Sequence, residues 1–172
     1  TDDSHRPERA NPAKKRVILF SPHPDDDVIS MGGTFSKLIK QGHDVHVVYQ
    51  TSGNIAVTDD EALKFAEVCR DFIGKENSEI NFSSVINFLN NKTENQVDSL
   101  EVRKLKGLIR RRESYAATRY IGLNDEKTHF LDLPFYETGQ IKKNPLGLDD
   151  IAIVKDIIAK IKPHQVFAAG DL

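Results

Sequence analysis

Strand-sized apolar runs alternate with helix-length amphipathic segments along this chain, and that alternation restricts the fold more than any other feature. Val17 to Ser21 is a short apolar run behind Lys14, Lys15 and Arg16, the pattern of a buried strand. Val28 to Gln41 brings Ile29, Phe35, Leu38 and Ile39 near one helical face, and Gly42 follows as a stop. Asp44 to Thr51 is β-branched and reads as a second strand. Asp59 to Ile73 reads as a helix with acids in its first turn and Leu63, Ala66, Val68 and Phe72 apolar. Thr128 to Leu133 is a third strand, stopped by Pro134. Asp149 to Lys162 is a helix carrying Ile151, Val154, Ile157, Ile158 and Ile161, and "QVFAAG" is a fourth strand. Strands separated by such helices pair in parallel through right-handed crossovers, so the expected fold is α/β with a mainly parallel sheet. Ligands of these sheets gather beyond the carboxyl ends of the strands.

At that end of the first strand stands "SPHPDDDVISMGG", Ser21 to Gly33. Three consecutive aspartates repel one another, and a single acid is enough to cap a helix and complement its dipole. An imidazole two residues before the first aspartate changes the balance, because imidazole and carboxylate together suit zinc or iron. Asp27 stays open as a helix-start acid. Capping and metal binding are the two readings of the run.

With 172 residues, 38% hydrophobic and 29% charged, the chain fits one globular domain of ordinary size. A net charge of -2 leaves no basic footprint for nucleic acid. No apolar run approaches the ~20 residues of a membrane span, and no signal peptide is visible. The one cysteine, Cys69, excludes an internal disulfide and suits a reducing, cytoplasmic setting. It is expected as a small core residue on its helix. Residues 1–16 are polar and basic and read as a linker, and residues 17–172 as the domain. The chain starts without Met, and "HQVFAAGDL" breaks off where an apolar strand finishes, so a C-terminally truncated piece of a longer protein is expected. Residues 74–106 are polar and asparagine-rich, punctuated by Ile80, Phe82, Val85, Ile86, Phe88 and Leu89, and are expected to be a largely helical insertion over the site or against a partner.

"SPHPDDDVISMGGTFSKLIKQGHDVHVVYQTSG" resembles the signature of the PIG-L / LmbE-like N-acetylglucosamine deacetylases. That family opens with His-Pro-Asp-Asp-Glu after a strand, then a Gly-Gly turn into a helix, then a strand ending in Thr-x-Gly. Asp27 stands where the family has glutamate. "RRRESYAATRYIGL" is similar to a second family pattern, with Arg110, Glu113, Ala117 and Gly122 in register, and "KPHQVFAAG" is similar to the family's last strand before its distal histidines. The resemblance covers about residues 17–54 and 110–171. It implies a Rossmann-like three-layer sandwich and a metal-dependent hydrolase that removes the acetyl group from an N-acetylglucosamine-type substrate. On the matched positions it makes His23 and Asp26 ligands of Zn2+ or another divalent metal, and Asp25 the general base. Arg110 would lie near the substrate and read a hydroxyl or phosphate; a solvated arginine is the other reading of that position.

The family's third ligand lies in a histidine-rich segment after the last strand, beyond Leu172. His129 and His164 sit at the amino ends of their strands and do not replace it. Asp171, at a carboxyl end, could approach the metal through water. His43 is expected in a surface loop, and His46 on the strand face opposite Val45 and Val47, against a helix. Two other functions compete. A phosphohydrolase would use Asp25 and Asp27 as an Asp-x-Asp pair, although Ser-Pro-His-Pro separates them from the strand. A non-catalytic carbohydrate- or partner-binding module could keep the fold without turnover. The segment around residues 5–27 also resembles the junction in larger bacterial proteins that join a glucosamine-6-phosphate deaminase-like half to a LmbE-like half. That likeness implies a small amino-sugar substrate and a fused deaminase-like domain before this chain, with no nucleic-acid or membrane partner.

Overall fold

The computed structural model describes residues 12–73, 82–140 and 142–168. Within them β1 (Arg16–Ser21), β2 (Asp44–Tyr49), β3 (Thr128–Phe130) and β4 (Gln165–Ala168) form one sheet in the order β3-β2-β1-β4. Every pairing is parallel. The accompanying helices are α1 (Asp26–Ile29), α2 (Gly32–Lys40), α3 (Asp59–Ile73), α4 (Phe82–Asn90), α5 (Leu100–Ile121) and α6 (Leu148–Ile161). The chain moves from β1 outward to β2 and β3, then returns to lay β4 on the other side of β1. Strand order therefore reverses at β1, where a crevice opens beyond the carboxyl ends.

Both faces of the sheet are covered, which gives the expected Rossmann-like α/β sandwich. Val17, Leu19, Val45, Val47 and Tyr49 pack with Phe35 and Leu38 of α2 and with Leu123. Ile18, Phe20 and Val48 pack on the opposite side with Ile161, Val154 and Ile157 of α6. Burial on both faces is why β1 reads as an unbroken apolar run. Each such aliphatic side chain contributes ~1.5–3 kcal/mol relative to exposure. A second core lies away from the sheet, where Ala62 and Ala66 of α3, Val85, Ile86 and Leu89 of α4, and Val102 and Ile109 of α5 pack together. The helical insertion expected over 74–106 comprises, in the described residues, α4 and the first turns of α5. Ser99 caps α5 by accepting from Val102 N at 3.3 Å, and Gly122 ends it with φ 99°. The helix runs through Lys106 without a break.

Several local expectations need correction. The helix expected from Val28 to Gln41 is two helices, because Met31 leaves helical geometry (φ -129°, ψ 9°) and packs against the core beside α2. Ile29, on the short first helix, is left 76% exposed. On α3 the face carrying Val68 and Phe72, 65% and 91% exposed, is not the packed one; Ala62, Leu63 and Ala66 are. Cys69 is half-buried rather than in the core. β3 stops at Phe130, three residues early, because Asp132 takes φ 47° and breaks the regular pairing. Leu131 and Leu133 still donate to Tyr49 O and Gln50 O, each at 2.9 Å. Ala169 and Gly170 of the expected fourth strand lie outside the described residues.

A largely buried ionic cluster braces the second core. Lys106, 4% exposed, donates to Asp59 at 2.5 Å and Asp98 at 2.8 Å. Lys92 reaches the same two carboxylates at 2.8 and 2.6 Å. Each ammonium bridges both acids, so α3, α5 and the loop after α4 are tied at one point. Between β2 and β3 lies a second, part-buried polar contact: His46 Nδ1 lies 3.0 Å from His129 Nε2, with the rings stacked at 5.3 Å. His46 lies on the sheet face opposite Val45 and Val47, as expected, and meets a histidine of the next strand there.

Two outcomes follow from these contacts. Asp98→Ala leaves Lys106 buried with one partner fewer and should cost about 3 kcal/mol in chemical denaturation, as removal of one partner from a buried ion cluster does. Burial first, then the charges of His46 and Lys160, lowers His129 from 6.5 to about 4. A depressed folded pKa means the unfolded chain binds the extra proton between those values. Stability should be fully present above pH 6.5 and fall as pH drops toward about 4, by roughly 1–2 kcal/mol after discounting for partial exposure. His129→Gln should flatten that limb in melts run between about pH 4 and 7; an unchanged limb would refute the assignment.

Candidate active site

The turn after β1 is held from beneath by its last acid. Asp27 is fully buried and accepts from Tyr49 OH at 2.9 Å, while its own N–H donates to Ser21 Oγ at 2.9 Å. Ser21 Oγ donates in turn to His23 O at 2.6 Å. Burial raises the Asp27 carboxyl above its usual range, partly offset by the Tyr49 hydrogen bond. Burial and the neighbouring Asp27 likewise raise the Tyr49 phenol, so it stays a donor. With its carboxylate on Tyr49 inside the protein, Asp27 does not face outward with Asp25. That arrangement removes the Asp-x-Asp pairing a phosphohydrolase would need.

The turn is also stitched to the loop after β2. Thr51 donates to Pro22 O through its N–H at 3.1 Å and its hydroxyl at 2.8 Å. Gly53 sits at φ 64°, and a Cβ there would stand 2.7 Å from Pro24 Cδ. Only glycine allows both the left-handed backbone and that approach.

These restraints present His23, Asp25 and Asp26 at the open end of the sheet. Asp26 Oδ2 accepts from His23 N at 2.9 Å and lies 3.2 Å from His23 Nδ1, so the two side chains converge. Both are partly exposed. Asp25 takes a different partner. Its Oδ2 accepts from Arg110 Nη2 at 2.7 Å, and the same nitrogen donates to Pro24 O at 2.6 Å. Glu113, one turn along α5, holds Arg110 Nη1 at 2.5 Å. Arg110 Nε is buried without a partner among the described residues. The predicted residues Asp25, Arg110 and His23 thus border one cavity of about 350 Å3, completed by Gly53, Ile55 and Tyr136.

Tyr136 meets the His23 ring edge-on at 5.8 Å. Burial and the charge of Glu137 raise its phenol, so it keeps its proton at neutral pH. Glu137 accepts from Ser52 N at 3.3 Å and Asn54 Nδ2 at 3.1 Å, which ties the segment after β3 to the loop after β2. Sequence reasoning missed Tyr136 and Glu137. Their only signal was position, in "YETG" just past a strand's carboxyl end.

The donor set supplies one imidazole nitrogen and one carboxylate side by side, which fits part of a zinc or iron site. Among the described residues no group of three or more His, Cys, Asp or Glu is arranged to hold a metal ion. Asp171, the suspected third donor, lies outside the described residues. His129 and His46 are taken up with each other across β2 and β3. His164 Nδ1 accepts from Arg16 N at 2.9 Å and His43 Nδ1 from Lys15 N at 3.1 Å, so both serve the amino end of the sheet.

Over 99% of its length the chain is 49% identical to a glucosamine-6-phosphate deaminase-like protein of Bacteroides thetaiotaomicron, of which it spans 27%. A diacetylchitobiose deacetylase of Thermococcus kodakarensis is 45% identical over 47 residues, 27% of this chain and 18% of that protein. The chain thus spans about a quarter or less of the length of these relatives. No solved structure matches. Residues 18–172 match the PIG-L family, described as GlcNAc-PI de-N-acetylase, and the chain belongs to that family.

Proposed function

We propose that this chain carries the site of a metal-dependent N-deacetylase acting on an N-acetylglucosamine-type substrate. The observation that carries the reading is the division among the three aspartates. Asp27 is spent on Tyr49 inside the protein, Asp26 sits with His23, and Asp25 faces the cavity on the arm of Arg110. A diacetylchitobiose deacetylase among the relatives supports the same chemistry, and the deaminase-like relative supports an amino-sugar substrate and a larger parent protein. No helix among the described residues is long and apolar enough to cross a membrane, which is compatible with a small sugar substrate met in water.

His23 and Asp26 are the residues that would hold the cation, which supplies Lewis-acid polarisation of the acetamide oxygen when bound. Asp25 performs the proton work. Arg110 fixes its orientation through one oxygen, and Oδ1 has no hydrogen bond among the described residues. That oxygen accepts the proton of the attacking water and returns it to the amine nitrogen as the C–N bond breaks, giving acetate and a free amino sugar. Tyr136, kept protonated, adds a donor on the far wall. Arg110 thereby acts on Asp25 as a positioning residue, in place of the substrate-reading role expected from the sequence.

The experiment is acetate release from N-acetylglucosamine compounds together with zinc content. Asp25→Asn should lose about 10²–10⁴-fold in kcat while zinc content stays unchanged. Asp26→Asn should lose zinc as well. Equal zinc loss in both variants, or full activity in Asp25→Asn, would show the roles to be wrongly divided.

A further inference from the structure

Tyr136 forms part of the wall of the cavity beside the turn after β1. Its ring makes a T-shaped contact with His23 at 5.8 Å. The Lys143 ammonium stands 3.6 Å from the centre of the same ring. Lys143 itself does not line the cavity, so it can reach the site only through Tyr136. Three hydrogen bonds bring it there. Asn144 N donates to Phe135 O at 3.0 Å, which folds the chain back on itself. Lys143 Nζ donates to Tyr136 O at 3.1 Å and to Gln140 O at 3.0 Å. Among the described residues no carboxylate forms a salt bridge with this ammonium.

We propose that Lys143 is a positioning residue of this site, whose ammonium over the Tyr136 ring fixes the phenol on the cavity wall and the ring against His23. Its effect on substrate rests on the N-deacetylase reading above; the placement of the ring does not. A lysine with no acidic partner ordinarily extends its charged head into water, where it keeps its rotamer freedom and hydration. Lys143 instead is half-buried and folded back on the chain. Two carbonyl oxygens and the negative face of the ring offset that loss, and the attraction of a cation to an aromatic face grows as water is kept off it. The contact is mutual, so the ring is held as firmly as the ammonium. A change of Tyr136 rotamer would take the phenol from the cavity and the ring from His23 together. Tyr136 has no part in the Asp25–Arg110 pair. Its hydroxyl therefore holds substrate alike before and during bond breaking, and its misplacement raises KM while sparing kcat.

The test reads the ring first and the substrate second. Proton–carbon NMR of the histidine side chains, with His23 assigned through His23→Gln, senses Tyr136 by its ring current. Lys143→Met should shift the His23 signals and leave the other histidines in place. Lys143→Arg returns a cation to the ring and donors to the carbonyls, so its His23 signals should match the parent chain. In a Tyr136→Leu background Lys143→Met should move His23 no further, because the two residues act as one unit. Lys143→Gln, which drops the charge and keeps a polar end for the carbonyls, carries the same expectation if Lys143→Met does not fold. With N-acetylglucosamine as substrate, Lys143→Met should raise KM about threefold at unchanged kcat, the loss expected for one partly exposed cation–π contact. An unmoved His23 in Lys143→Met, equal shifts in Lys143→Met and Lys143→Arg, a further shift in the Tyr136→Leu background, or an unchanged KM in an active protein would overturn the proposal. The expected His23 pattern in a protein that releases no acetate would uphold the positioning and defeat the deacetylase reading instead.

Discussion

The hydrogen bond from Tyr49 to the buried Asp27 carboxylate is the contact on which the site depends. Tyr49 ends β2 and Asp27 lies in the first turn of α1, so this bond fixes where the chain goes after β1. Ser21 closes the same knot by accepting from the Asp27 backbone and donating to His23 O. A carboxylate inside a protein is costly unless hydrogen-bonded, and here the raised Asp27 pKa records that cost. The return is geometric. With Asp27 turned inward, its two neighbours on the helix start must point elsewhere, Asp26 toward His23 and Asp25 toward Arg110.

The sheet supplies the location and the helices supply the walls. Reversal of strand order at β1 leaves no strand crossing above its carboxyl end, so the turn meets solvent in a crevice. The floor of that crevice is a conventional two-sided core. Its side wall is a separate helical core pinned by Lys106 and Lys92 to two shared aspartates. Arg110 connects the two bodies: it lies on α5, which packs in the helical core, and its guanidinium holds Asp25 in the turn. A shift of α5 would therefore be felt directly at the carboxylate.

Much of this is legible in the sequence. Four short apolar runs separated by amphipathic segments give the parallel sheet, because burial on both faces leaves no polar alternation in β1. The His-x-Asp-Asp spacing places three chemical groups at one strand end. Less legible are the contacts between segments distant in the chain. Arg110 and Asp25 are 85 residues apart, and nothing in either neighbourhood says that the arginine holds the acid instead of the substrate. Tyr136 reaches the cavity, and Glu137 the loop after β2, once Asp132, at φ 47°, has turned the chain off β3. The exposed Val68 and Phe72 show the converse limit: an apolar helical stripe marks a possible packing face, and the neighbouring helices decide which stripe is used.

The central claim is that one aspartate of the three holds the fold while the others are free for chemistry. Denaturant unfolding of Asp27→Ala beside Asp25→Ala tests it most directly. Loss of the buried carboxylate takes away the acceptor of the Tyr49 hydroxyl in the core and should cost about 2 kcal/mol or more. Loss of Asp25, partly exposed and with its side chain paired to Arg110 alone among the described residues, should cost no more than about 1 kcal/mol. Near-equal stabilities, or a larger loss in Asp25→Ala, would contradict the account.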